Sequence, residues 1–105
     1  QGGERVIPSP VYLSGPMTGL PDSNYPAFIF VAARLRAMGY EVVSPAEQPP
    51  KPTWTEYMRA DIKMLKQCRS MVLLPGWDRS RGANIELGVA HRRGIVVREL
   101  WEVLA

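Results

Sequence analysis

Ten of the 105 residues are acidic, and one of them, Glu86, has the setting best suited to covalent chemistry. It lies in Gly76-Trp77-Asp78-Arg79-Ser80-Arg81-Gly82-Ala83-Asn84-Ile85-Glu86-Leu87-Gly88, just after the most apolar run, Met71-Val72-Leu73-Leu74. The run reads as a buried strand, and residues 76–88 read as a loop turning into a helix. In an open α/β sheet, ligands bind at the carboxyl ends of strands, where loops meet helix N-termini. A carboxylate in the first two turns of such a helix lies near the positive end of its dipole, which favours the ionised form. Glu86 is therefore expected to act as a nucleophile.

A second carboxylate stands out further upstream. Thr53-Trp54-Thr55-Glu56 is a capping box that opens a helix, whose apolar seam runs through Trp54, Tyr57, Met58, Ile62, Leu65 and Cys68. Asp61 falls on or beside that seam. A bare carboxylate facing a core is costly, so it needs a hydrogen-bond partner or a polar cavity. The spacing leaves two readings open: Asp61 borders a pocket, or it is an edge carboxylate paired with Arg59, Lys63 or solvent.

The elements that must position these groups follow from periodicity. Val11-Tyr12-Leu13-Ser14 is the first strand, ending at Gly15-Pro16, with a loop over residues 15–23. Gly15 and Gly19 allow close backbone approach, and N–H groups there could hold an anion; a Gly/Pro turn without a ligand fits equally well. A helix starts near Asn24 with Pro26 in its first turn. Phe28, Val31, Ala32 and Leu35 form its buried stripe, and Gly39 stops it. Tyr40-Glu41-Val42-Val43 is the second strand, and residues 45–52 are a proline-rich connector. After the capped second helix come the strand Met71-Val72-Leu73-Leu74 and a third helix from about Ser80 to Gly94. Ala83, Leu87 and Ala90 share one face of that helix, with Glu86 on its shoulder. Ile85 and Val89 are placed on roughly the opposite side, which predicts a homo-oligomeric contact. Ile95-Val96-Val97 is the fourth strand, and a short helix closes the chain.

This β-α-β-α-β-α-β pattern predicts an α/β fold, a three-layer α/β/α domain with a four- to five-stranded, mainly parallel sheet. Strand order 2-1-3-4, as in flavodoxin-like folds, would set the loop after Ser14 opposite the stretch carrying Glu86. One domain over residues 1–105 is expected, with residues 1–10 as an N-terminal tail whose start, lacking an initiator Met, is trimmed or appended. The formal charge of +3 suits a phosphate-bearing ligand. Lys and Arg are scattered, without the interleaved aromatics of a nucleic-acid surface, so no nucleic acid is expected. One cysteine, Cys68, and one histidine, His91, offer no disulfide and no metal site. No run approaches the roughly 20 apolar residues that span a bilayer, and the expected location is the cytoplasm.

With these residues in place, the sequence resembles the nucleoside 2-deoxyribosyltransferase-like superfamily, specifically a small branch of phage and bacterial proteins classed as a domain of unknown function. The likeness rests on Tyr12-Leu13-Ser14-Gly15-Pro16-Met17-Thr18-Gly19, on Asp61, and on Gly76-Trp77 through Glu86-Leu87-Gly88. It implies that Glu86 attacks the anomeric carbon of a nucleoside sugar, that Tyr12 orients the carboxylate, and that Asp61 hydrogen-bonds the departing base. It implies substrate contacts from Ser14, Gly15, Pro16, Met17, Thr18, Gly19, Gly76, Trp77, Ser80, Gly82 and Ala83, with no cofactor. Ser80 stands where superfamily enzymes acting on free nucleosides tend to carry Asp, which implies a 5′-monophosphate substrate; Ser80 is also a natural helix cap. Pro16-Met17-Thr18 replaces polar and basic residues of the nucleotide hydrolases. The expected activity is N-glycosidic cleavage, by hydrolysis or base transfer. The alternative is a non-catalytic nucleotide-binding module.

Overall fold

The computed structural model describes residues 6–104. Four short strands form one parallel sheet: β1 (Val11–Ser14), β2 (Val42–Val43), β3 (Ser70–Leu73) and β4 (Val96–Glu99), in the order β2-β1-β3-β4. Four helices connect and close it: α1 (Tyr25–Ala37), α2 (Trp54–Leu65), α3 (Arg81–Arg93) and α4 (Leu100–Leu104). The strand order is the expected one. β2 is shorter than the apolar run that predicted it, and β3 and β4 are each displaced slightly from theirs.

The period of two along a strand sorts the core into two halves. Val11 and Leu13 of β1 face the layer made by α1 and α4, where Phe28, Val31, Ala32, Leu35 and Val103 are buried. Tyr12, on the other face, packs with Met71, Leu73, Leu65, Cys68, Val89 and Ala90, so α2 and α3 cover that side. Tyr12 and Ser14 therefore share the face that α3 crosses. This is the three-layer α/β/α arrangement.

Local chemistry sets the helix ends. Thr53 Oγ1 accepts the N–H of Glu56 at 3.1 Å, and Ser80 Oγ accepts that of Ala83 at 3.1 Å, as side-chain caps do. Gly39 follows α1 at φ +101°, and Gly94 ends α3 at φ +71°. Gly15 has a different task. A Cβ there would lie 2.8 Å from Leu74 Cβ, so only glycine lets the end of β1 pass this close to the residue following β3.

Two expectations change. The tail packs from Ile7 onward: Ile7 is in the core, Ser70 Oγ donates to the Pro8 carbonyl at 2.7 Å, and Pro10 accepts from Arg69 and Ser70. Residues 1–5 lie outside the described part. On α3, Val89 is buried and does not face outward with Ile85; the buried face is Ala83, Glu86, Val89 and Ala90. At about 100° per residue, that arc is centred near Glu86 rather than on Ala83 and Leu87, which turns Val89 inward. Ile85 alone remains half-exposed, so the two-sided apolar face that predicted an oligomeric contact on α3 is not there. Among the described residues no helix is long and apolar enough to cross a membrane.

Candidate active site

Glu86 sits almost two turns into α3, above the β1 face that carries Tyr12 and Ser14. Tyr12 donates its hydroxyl to Glu86 Oε2 at 2.8 Å, and Ser14 donates to Oε1 at 2.6 Å. The carboxylate is only 5% exposed. A side chain 72 and 74 residues away in sequence from its two donors is thus held at both oxygens, the preorganisation a reacting group requires.

Burial dominates its electrostatics. Removal from water pushes the Glu86 pKa up to about 7; the Ser14 and Tyr12 hydrogen bonds pull it down, while the negative charge of Asp61 adds to the rise. Asp61 is 8% exposed and is also raised by burial, opposed by a hydrogen bond from Gln48, by Glu86 and by the charge of Lys51. The interaction between the two carboxyls raises Glu86 and offsets part of the rise at Asp61. Two interacting carboxyls titrate as a pair rather than as independent groups. Tyr12 is held protonated by its burial and by the adjacent Glu86.

The partner of Asp61 is neither of the cations expected from its own helix. Gln48 Nε2 donates to Asp61 Oδ1. Gln48 comes from the proline-rich connector, whose path is fixed locally. Ser44 Oγ caps a 3-10 turn over Pro45–Glu47, Pro45 is buried, and Arg36 of α1 grips Glu47 at 2.7 Å. No sequence periodicity signals this contact, because the connector has none.

These groups open into a cleft of about 710 Å³ at the carboxyl ends of β1 and β3. Ser14, Gly15, Pro16, Met17, Thr18, Asp61, Ser80, Gly82 and Glu86 line it, all of them expected site residues. Tyr12 lies behind Glu86, fully buried. Gly19, Gly76, Trp77 and Ala83 fall outside the lining. Gly19 makes an exposed turn at φ +82°, and Gly76, at φ +89°, packs against Pro16. Trp77 packs with the core under α3 and donates to Glu99, while Ala83 is buried with its N–H on Ser80. The sequence reading missed the aromatic wall: Tyr25, Phe28, Trp54 and Tyr57, with Met58, face the cavity. The aromatic content of Trp54-Thr55-Glu56-Tyr57 at the start of α2 was the available signal.

The N-terminus of α3 borders the cleft through Ser80, Arg81 and Gly82. Ser80 occupies Ala83 N–H, leaving the first-turn N–H groups of Arg81 and Gly82 without helical acceptors. Arg79 and Arg81 flank them, and Arg81 stacks over Trp54 with its guanidinium carbon 4.6 Å from the ring centre. Among the described residues no group of three or more His, Cys, Asp or Glu side chains is placed to hold a metal ion.

A parallel sheet in the order 2-1-3-4, layered between helices, is the fold of the 2-deoxyribosyltransferases. The "2-desoxiribosyltransferase from Leishmania mexicana" superposes with a TM-score of 0.71 at 20% identity, covering 88% of this chain and 63% of its own. The 2-deoxyribosyltransferase from the psychrotolerant bacterium Bacillus psychrosaccharolyticus gives 0.65 at 19% identity, covering 85% and 69%. This chain thus spans about 63% of the length of the Leishmania protein. At these identities the likeness is one of fold. The chain belongs to the family described as "Domain of unknown function (DUF4406)", which matches residues 9–99. No curated protein matches it.

Proposed function

We propose that this protein cleaves the N-glycosidic bond of a nucleoside 5′-monophosphate through a glutamyl intermediate. The observation that carries this reading is the buried Glu86 carboxyl, gripped by Tyr12 and Ser14, with Asp61 lining the same cleft. A nucleophile and a proton donor side by side are what retaining glycosyl transfer requires. In the reactive form Asp61 is protonated and Glu86 is ionised. A Glu86 oxygen bonds to the anomeric carbon as the carbon–nitrogen bond breaks. The bonding pair leaves with the base, and the Asp61 proton follows it. Water, or a second base, then releases the sugar from Glu86.

The aromatic wall offers the base a stacking surface. The N-terminus of α3, with Ser80 in place of a carboxylate, suits a 5′-phosphate. Incubation with a panel of nucleoside and deoxynucleoside monophosphates should release free base from at least one. Glu86→Gln and Glu86→Ala should abolish that release, and unchanged release in both would remove Glu86 from the mechanism. A binding-only role draws on the Pro16-Met17-Thr18 side, which brings no charged side chain to the cleft. That role would show as thermal stabilisation by a nucleotide with no base released at any protein concentration.

A further inference from the structure

The cleft does not end at its mouth. Trp54 and Met58 line it and also line a second groove, of about 550 Å³, between α2 and α3. The groove has an apolar floor of Trp54, Met58, Ile62 and Ile85. Trp54 is 39% and Ile85 37% exposed, so this floor is open to a ligand. Beside the floor stand Arg59, Lys63 and Lys66, all exposed, and no acidic side chain lines the groove. Their i, i+4, i+7 spacing sets them in a row along α2, roughly 5–6 Å apart.

The junction between the two cavities is chemically continuous. Arg81 follows Ser80 at the start of α3 and stacks on Trp54 at 4.6 Å. A path therefore leads from the α3 end of the cleft, across an arginine and an indole face, to a row of three cations. A phosphate chain alone would have no use for the apolar floor, and an uncharged apolar ligand none for the cations. A base together with its phosphates uses both, by stacking and by charge.

We infer that the substrate is a nucleotide extended at its 5′-phosphate by a second nucleoside, whose base lies on the Trp54 floor. Its added phosphate or phosphates face Arg81 and the Arg59, Lys63 and Lys66 row. This rests on reading the cleft as a nucleotide site, and it replaces a free monophosphate with a linked one.

Titration calorimetry on the intact chain tests it with three ligands sharing one base: the 5′-monophosphate, a 5′–5′ pyrophosphate-linked dinucleotide and a 3′–5′-linked dinucleotide. One linked form should bind at least about tenfold tighter than the monophosphate, an advantage that fades with added salt. Whichever form wins identifies the linkage. The double variant Lys63→Glu/Lys66→Glu, on exposed positions, should erase the advantage and leave monophosphate affinity unchanged. Equal affinities for all three ligands, or an equal loss for the monophosphate in the variant, would overturn the inference. Base release from the same ligands is read separately. Dinucleotide preference without any base release would sink the glycosidic reading and leave the extended site standing.

Discussion

The two hydroxyls on Glu86 are not equivalent in consequence to ordinary hydrogen bonds, because they act on a carboxyl whose pKa stands at about 7. Each stabilises the charged form that burial opposes. Tyr12→Phe removes one of them without changing the packing of the ring. The Glu86 pKa should then rise, moving the acidic limb of the pH–rate profile upward, with kcat lowered by about 10- to 100-fold. An unmoved limb would show that the Tyr12 hydroxyl does not act on Glu86. The same carboxyl bears on stability. Its folded pKa is raised above the unfolded value near 4.5, so its contribution is fully favourable below about pH 4.5. That contribution is lost as pH climbs through 7. Glu86→Gln should flatten the fall in Tm between these values, and should be no less stable than the parent above pH 7. Differential scanning calorimetry across the range reads both. Glu86, Asp61 and Tyr12 were legible in sequence, from helix position, seam position and resemblance. Gln48 was not, since its value comes from a contact made by an aperiodic connector.

At the level of elements, the site depends on how closely two strand ends approach. Gly15 permits β1 to finish against Leu74. Gly15→Ala forces a Cβ into a carbon that cannot swing away, and should cost about 1–3 kcal/mol in urea denaturation. Because the loop after Gly15 lines the cleft, any base release should fall as well. A variant as stable as the parent would mean the sheet relaxes freely at this point. That loop holds three successive left-handed residues that are not glycine, Asp22, Ser23 and Asn24, with φ of 52°, 54° and 60°. Asn24 Nδ2 fastens it to the Pro16 carbonyl at 2.9 Å. Such conformations are costly for L-residues and cluster beside functional sites. Neither the strain nor its tether shows in the Gly and Pro spacing that marked the loop.

At the scale of the whole molecule, the rotation of α3 decides which surfaces are free. Val89 belongs to the core with Tyr12, Leu65 and Met71, while Ile85 lies half-exposed beside α2. Val89→Asp should therefore destabilise the protein by about 3 kcal/mol or more, since it buries an unpaired charge. Ile85→Asp should leave the melting temperature near that of the parent, and the apparent mass in light scattering unchanged. A drop in mass for Ile85→Asp would restore the subunit contact that the burial of Val89 argues against. The same rotation brings Glu86 to the centre of the buried face, where sequence spacing placed it on the shoulder.

What the sequence alone determined is what nearest neighbours encode. Strand and helix periods, caps at Thr53 and Ser80, the glycine stops and the alternation of elements together specify a parallel α/β sheet. The order 2-1-3-4, expected by analogy with flavodoxin-like folds, brings the loop after Ser14 opposite Glu86. Only the tertiary structure decided the rest: the Gln48 contact to Asp61, the stacking of Arg81 on Trp54, the angle at which α3 packs, and the hydrogen bonds from Tyr12 and Ser14 to Glu86. Each of these depends on groups far apart in the chain meeting where water is excluded. The strength of a charge or hydrogen bond there is set by burial, which no local pattern of residues carries.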